Sequence, residues 1–112
     1  MEYTDRFTFL ENATTATTGE EMPNTNNTIL VVSVEGTFSG AITFEGFLGN
    51  VWHPLAAVSL GDLGLVYTVT EEGAYTVASP VGFDKIRANL KTISSGSVTV
   101  IGRVYGGESV VR

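Results

Sequence analysis

The stretch Gly40–Leu55, GAITFEGFLGNVWHPL, constrains the fold more than any other part of the chain. An alternating apolar and polar run leads into Gly49-Asn50 and returns through a second run that carries Trp52 and Pro54. A Gly-Asn pair between two such runs signals a tight turn, because a two-residue connection matched to strand twist needs a positive φ that glycine takes at no steric cost. The segment predicts a β-hairpin at the heart of an all-β domain. Ile42 and Phe44 share one face of it, and Trp52 is a candidate for the same face.

Further strand-like runs recur at short spacing: Thr28 to Glu35, Leu63 to Thr70, Ala74 to Ala78, Lys85 to Ile93 and Ser97 to Tyr105. The return arm of the hairpin reads as one run, Val51 to Ser59. Turn signals at Glu35-Gly36, Gly61-Asp62, Glu72-Gly73 and Ser95-Gly96 separate them. Alternation then assigns the faces. Val98, Val100 and Val104 share one parity, as do Ile86, Ala88 and Leu90, and both sets are expected to point inward. The pattern predicts an antiparallel β-sandwich of about eight strands, either a jelly roll or an immunoglobulin-like fold. With 112 residues the chain has room for one core.

Three segments follow. Residues 1–11 form an N-terminal arm whose Tyr3, Phe7 and Phe9 alternate with Thr4, Arg6 and Thr8, the period of a half-buried strand. Residues 12–28 are rich in Thr and Asn, with Met22 as the one apolar side chain larger than Ala, and read as a linker or long surface loop. Residues 29–112 make the sandwich. A strand on so long a tether can pair with its own sheet edge, the preferred expectation, or cross to a neighbouring subunit, since loop closure grows costlier only slowly with length.

Charge and composition narrow the function. Twelve acidic residues against six basic ones give a formal net charge of −6, unsuited to a phosphate backbone, so no direct contact with nucleic acid is expected. Cysteine is absent, which excludes disulfides and thiolate metal sites. The opening MEYTDRF lacks the blocks of a signal peptide, and no apolar run reaches the ~18 residues of a membrane span. The expectation is a soluble chain synthesised in the cytoplasm without export, with no membrane partner.

No constellation points to catalysis. His53 is the sole histidine, and no G-x-S-x-G motif accompanies it. Glu20-Glu21, Glu71-Glu72, Asp62 and Asp84 could offer oxygen ligands to calcium, but without EF-hand spacing they read as solvated turn carboxylates. Neither a Walker loop nor a dinucleotide fingerprint is present. The expectation is no catalytic, metal or cofactor site. Trp52, Tyr67 and Tyr75 could form a platform for sugar rings, since amphipathic rings offer an apolar face and a polar tip. Their alternative role is packing, the role expected of Trp52 and Phe44.

The succession GAITFEG, W-x-P-L, Gly73 with Tyr75, IRANL and SGSVTVIG, over residues 36–105, resembles small β-sandwich virion proteins of tailed bacteriophages. Those serve as head decoration, head fibre or tail-associated accessory proteins and are commonly oligomeric. The resemblance implies a non-enzymatic virion protein that decorates or stabilises the capsid as a homo-oligomer, a trimer being one candidate state, with capsid or tail proteins as partners. A tail- or fibre-associated carbohydrate-binding module is the alternative. The arm residues Tyr3, Phe7 and Phe9 are the expected contact element.

Overall fold

In a computed structural model, which describes residues 6–24, 27–77 and 82–106, the Gly-Asn hairpin forms as its alternation dictates. Strand β4 (Phe38–Leu48) pairs antiparallel with β5 (Val51–Leu55), and Leu48 faces Val51 across the two-residue turn. Gly49 alone of the turn pair has a positive φ, 71°, the requirement of a type II′ connection. The register sets Phe44 opposite Leu55 and Phe47 opposite Trp52. Trp52 therefore lies on the other face from Ile42 and Phe44, a correction to the expected grouping. A two-residue turn makes even positions of one strand face odd positions of the next, so the tryptophan follows Phe47 outward.

Among the described residues, β1 (Arg6–Ala13), β2 (Met22–Pro23), β3 (Asn27–Glu35), β6 (Ala57–Ser59), β7 (Leu65–Val66), β8 (Gly73–Val77), β9 (Lys85–Gly96) and β10 (Val98–Gly106) complete the set. They form a six-stranded sheet, in the order β1-β10-β3-β8-β6-β7, and a four-stranded sheet, β2-β9-β4-β5. Every pairing is antiparallel. The fold is the expected antiparallel β-sandwich. Its strands outnumber the expectation because the run Val51–Ser59 breaks at Ala56, leaving β5 in one sheet and β6 in the other, and because β2 arises inside the Thr/Asn-rich stretch. Pro54 is accommodated because β5 is an edge strand, where a missing N–H costs no ladder bond.

Alternation builds the core. Leu30, Val32 and Val34 of β3 with Val98 and Val100 of β10 come from one sheet; Ile42 and Phe44 of β4 with Ile86, Ala88 and Leu90 of β9 come from the other. All are buried, and each large one contributes roughly 1.5–3 kcal/mol by leaving water. The inward parity read from β9 and β10 holds.

The arm pairs in cis, with Phe7 opposite Gly102 and Thr8 opposite Ile101 on β10. Phe9 is buried, its ring 4.9 Å from that of Phe7 and 6.3 Å from that of Phe44, edge-on to both. Gly102 makes this possible, since a Cβ there would stand 2.6 Å from the Phe9 ring. Beyond the arm, the supposed linker is tied down. Thr17 exchanges backbone hydrogen bonds with Leu90 at 3.0 and 2.8 Å, Met22 is buried, and β2 pairs with β9. The segment thus runs from an edge of the six-stranded sheet to an edge of the four-stranded one, held by backbone pairing that composition does not reveal.

Candidate interaction surfaces

The parity that buries Phe44 turns Thr43, Glu45 and Phe47 to the outer face of the four-stranded sheet. There they meet Trp52 and Pro54 on β5 and Lys85, Arg87 and Asn89 on β9. Arg87 Nε donates to Glu45 Oε1 at 2.8 Å, and Asn89 Nδ2 donates to Oε2 at 3.2 Å. The Arg87 guanidinium carbon lies 4.0 Å from the centre of the Trp52 ring. Lys85 Nζ stands 5.0 Å from the Phe47 ring and 3.2 Å from Glu21 Oε1. This layer leaves Thr43 only 6% and Glu45 only 7% exposed, low for an outward-facing position. Both Glu45 oxygens accept a hydrogen bond, which replaces the water a nearly dry carboxylate has lost.

This plate settles where the expected sugar-binding residues stand. The Trp52 ring is stacked with Arg87, so that face is not free to carry a sugar ring. Tyr75 sits on β8 in the other sheet and is buried, its hydroxyl donating to the Glu71 carbonyl at 3.0 Å. Burial first, then the charges of Glu71 and Asp62, push its phenol above the ordinary value of 10.0. Tyr67, just beyond β7, is exposed. The three aromatics do not converge on one platform. A cavity of about 230 Å³ does open beside Tyr75, lined by Asp62, Thr68, Thr70 and Glu71.

The arm residues divide. Phe9 is core and offers nothing to a partner, Phe7 is half-buried against that core, and Tyr3 lies outside the described residues. His53 is exposed opposite Gly46, its ring 6.2 Å from that of Phe83. Among the described residues no three carboxylates or histidines cluster in a way that could hold a metal ion.

Sequence reasoning missed the most exposed apolar surface. Leu60, Leu63, Leu65 and Tyr67 all stand out from the segment between β6 and β8, with Leu63 74% exposed. The segment is nonetheless well fixed. Leu63 N–H donates to the Ser59 carbonyl at 2.7 Å, Ser59 N–H to the Gly64 carbonyl at 2.9 Å, and Gly64 N–H to Asp62 Oδ1 at 2.9 Å. This bonding holds Leu63 at φ 62°, a left-handed conformation that branched side chains rarely adopt. The sequence signal was present in LGDLGL, where leucines sit directly on turn residues and match neither the strand nor the helix period.

Comparison with known proteins places this architecture. No curated protein sequence matches the chain. Among solved structures, the SPBc2 prophage-derived protein YomS superposes with a TM-score of 0.83 and 26% identity, covering 91% of this chain and 92% of its own. The PBSX exported protein XepA superposes with a TM-score of 0.85 and 26% identity over 91% of this chain. The match occupies only 37% of XepA, so the fold seen here corresponds to one part of that longer protein. The family model for XepA matches residues 3–104, nearly the whole sequence, and by that match the chain belongs to the XepA family.

Proposed function

We propose that this chain is a non-enzymatic, phage-associated structural protein that assembles with copies of itself and decorates or stabilises the capsid. The observation that carries the reading is the fixed apolar surface at Leu60, Leu63, Leu65 and Tyr67. Four large apolar side chains held exposed on one ordered segment favour association, because covering them removes apolar area from water. Leu65 lies on β7, an edge strand of two residues that leaves a sheet edge open to pairing, and the other three flank it. The prophage origin of YomS supports the phage setting. Many copies acting together make weak single contacts sufficient.

Light scattering on the intact chain tests this. Wild type is expected to form a defined homo-oligomer, and Leu63→Ser with Leu65→Ser to reduce it to monomer while keeping the β-sheet spectrum. A monomeric wild type at capsid-like concentrations, or unchanged assembly in the double variant, would remove the proposal. Micrographs of particles with and without the protein distinguish capsid from tail attachment. The virion location, reached after synthesis in the host cytoplasm, is also open to fractionation, since XepA is described as exported.

A second reading, a tail- or fibre-associated carbohydrate-binding module, draws on one observation. The cavity beside Tyr75 is lined by carboxylates and hydroxyls of the kind that hold sugar hydroxyls, and Tyr67 is exposed next to Thr68. Glycan-array binding that Tyr67→Ala abolishes would favour it over capsid assembly.

A further inference from the structure

The outer face of the six-stranded sheet carries a feature the assembly reading does not use. Arg6 on β1 and Arg103 on β10 are direct cross-strand partners, so both side chains emerge on the same side of neighbouring strands. Both are exposed. Among the described residues the ion pairs are Lys85–Glu21 and Arg87–Glu45, and neither arginine belongs to one. Like charges set directly opposite weaken a sheet. In a chain with six basic residues and a net charge of −6, two of them spent on such a pair bring the fold no visible benefit.

The pair stands at one end of a groove of about 320 Å³ whose floor carries the apolar Val31, Ala74 and Ile101, with Ser33 between the last two. Val31 is the cross-strand partner of Arg103, which joins charge and floor in one register. Glu35 also lines the groove; its backbone is four positions, about 13 Å, along β3 from Val31, and its Oε2 accepts from the Ser33 hydroxyl at 2.9 Å, which draws the carboxylate back toward the middle of the groove. That carboxylate is engaged by Ser33, whereas Arg6 and Arg103 at the other end belong to no ion pair among the described residues.

We propose that this groove docks an acidic peptide segment of a protein partner, with Arg6 and Arg103 gripping a carboxylate and apolar side chains lying on Val31, Ala74 and Ile101. Arginine suits the task because its planar fork matches a carboxylate with two parallel hydrogen bonds. A nucleic acid fits poorly, since two cations on an acidic protein cannot offset repulsion along a phosphate backbone. The inference is independent of the leucine surface, which lies at the opposite edge of the same sheet.

Fluorescence anisotropy of the intact chain with labelled hexaglutamate tests it, with hexaglutamine as the neutral control and inorganic phosphate as competitor. Hexaglutamate is expected to bind saturably and more weakly at high salt. Arg103→Ser and Arg6→Ser are each expected to lower affinity about tenfold, the scale of a lost charged hydrogen bond. Lys91→Ser on the other sheet is expected to leave binding unchanged. Thermal unfolding of Arg103→Ser at or above the wild-type temperature confirms that the fold survives, and Arg6→Ser supplies the test if it does not. The proposal is overturned by absence of hexaglutamate binding, by equal binding of hexaglutamine, by full affinity in both arginine variants, or by equimolar phosphate displacing the peptide.

Discussion

The two edges of the six-stranded sheet are both apolar, and they behave in opposite ways. At one edge β1 folds Phe9 into the core; at the other, β7 and its flanking segment hold Leu60, Leu63, Leu65 and Tyr67 out of it. The apolar content of the two segments is similar, so hydrophobicity alone does not decide which becomes core. The difference lies in what the neighbouring structure offers. Gly102 on β10 leaves a space that the Phe9 ring fills, whereas the turn around Leu63 is fixed by its own hydrogen bonds with the side chain directed away. An apolar edge becomes interior where its partner strand is recessed, and interface where it is not.

Truncating the two edges gives the largest contrast. Phe9→Ala is expected to cost about 3–5 kcal/mol, the range for removing a buried ring that packs edge-on against two others. Leu63→Ser is expected to change monomer stability by no more than about 0.5 kcal/mol, as for a surface position. Denaturant midpoints at fixed protein concentration measure both. Equal losses would mean that the leucine edge is covered by something intrinsic to the fold, and the contrast would fail.

The same contrast explains how much could be read without coordinates. Strict alternation in Lys85–Ile93 and Ser97–Tyr105 revealed the inward faces, because a period of two leaves no other choice once one face is apolar. Gly49-Asn50 likewise revealed its turn. Two things stayed hidden because they depend on partners distant in sequence. The side of Trp52 is not one of them, since a two-residue turn already sets even positions opposite odd ones and places it with Phe47. The arm's pairing with its own sheet is the preferred expectation, but the burial of Phe9 beneath it depends on Gly102, 93 positions away. The Thr/Asn-rich stretch looked unable to order, yet its order comes from backbone hydrogen bonds to Leu90 and β9 that any composition can make. The leucine surface was half legible: LGDLGL sets leucines on turn residues outside either period, but does not say whether such a leucine is folded under or left out.

Filling the recess sharpens the comparison at smaller scale. Gly102→Ala is expected to destabilise by about 1–3 kcal/mol, because the new Cβ meets the Phe9 ring at 2.6 Å and the Leu30 side chain at 3.1 Å. Combining it with Phe9→Leu should recover part of that loss, since the smaller side chain vacates the contested space. A double variant whose cost equals the sum of the singles, read from a thermodynamic cycle, would show that Gly102 does not act through Phe9.

Tyr75 links the leucine edge to the interior and gives a pH test. Its phenol is raised above 10.0 in the folded chain, so folding favours the protonated form. Below the unfolded value this contribution is fully present. As pH rises past 10 the unfolded chain loses its proton first, and stability falls until the folded phenol also ionises. Tyr75→Phe removes the titration, and its stability should fall less steeply than that of wild type as pH rises past 10. An unchanged slope would mean that burial and the charges of Glu71 and Asp62 do not act on this hydroxyl.

The smallest effect isolates the leucine edge itself. Leu63 holds φ 62° at a cost that glycine would not incur, while glycine would add freedom to the unfolded chain, so Leu63→Gly should raise monomer stability by less than about 1 kcal/mol. If the exposed leucine serves assembly, the same change should weaken self-association, because the side chain that the strained turn presents is gone. Stability and association would then move in opposite directions on one substitution. A side chain retained merely by chance would let both rise together or leave association unmoved, and only opposed signs agree with a turn that carries strain in order to display a contact.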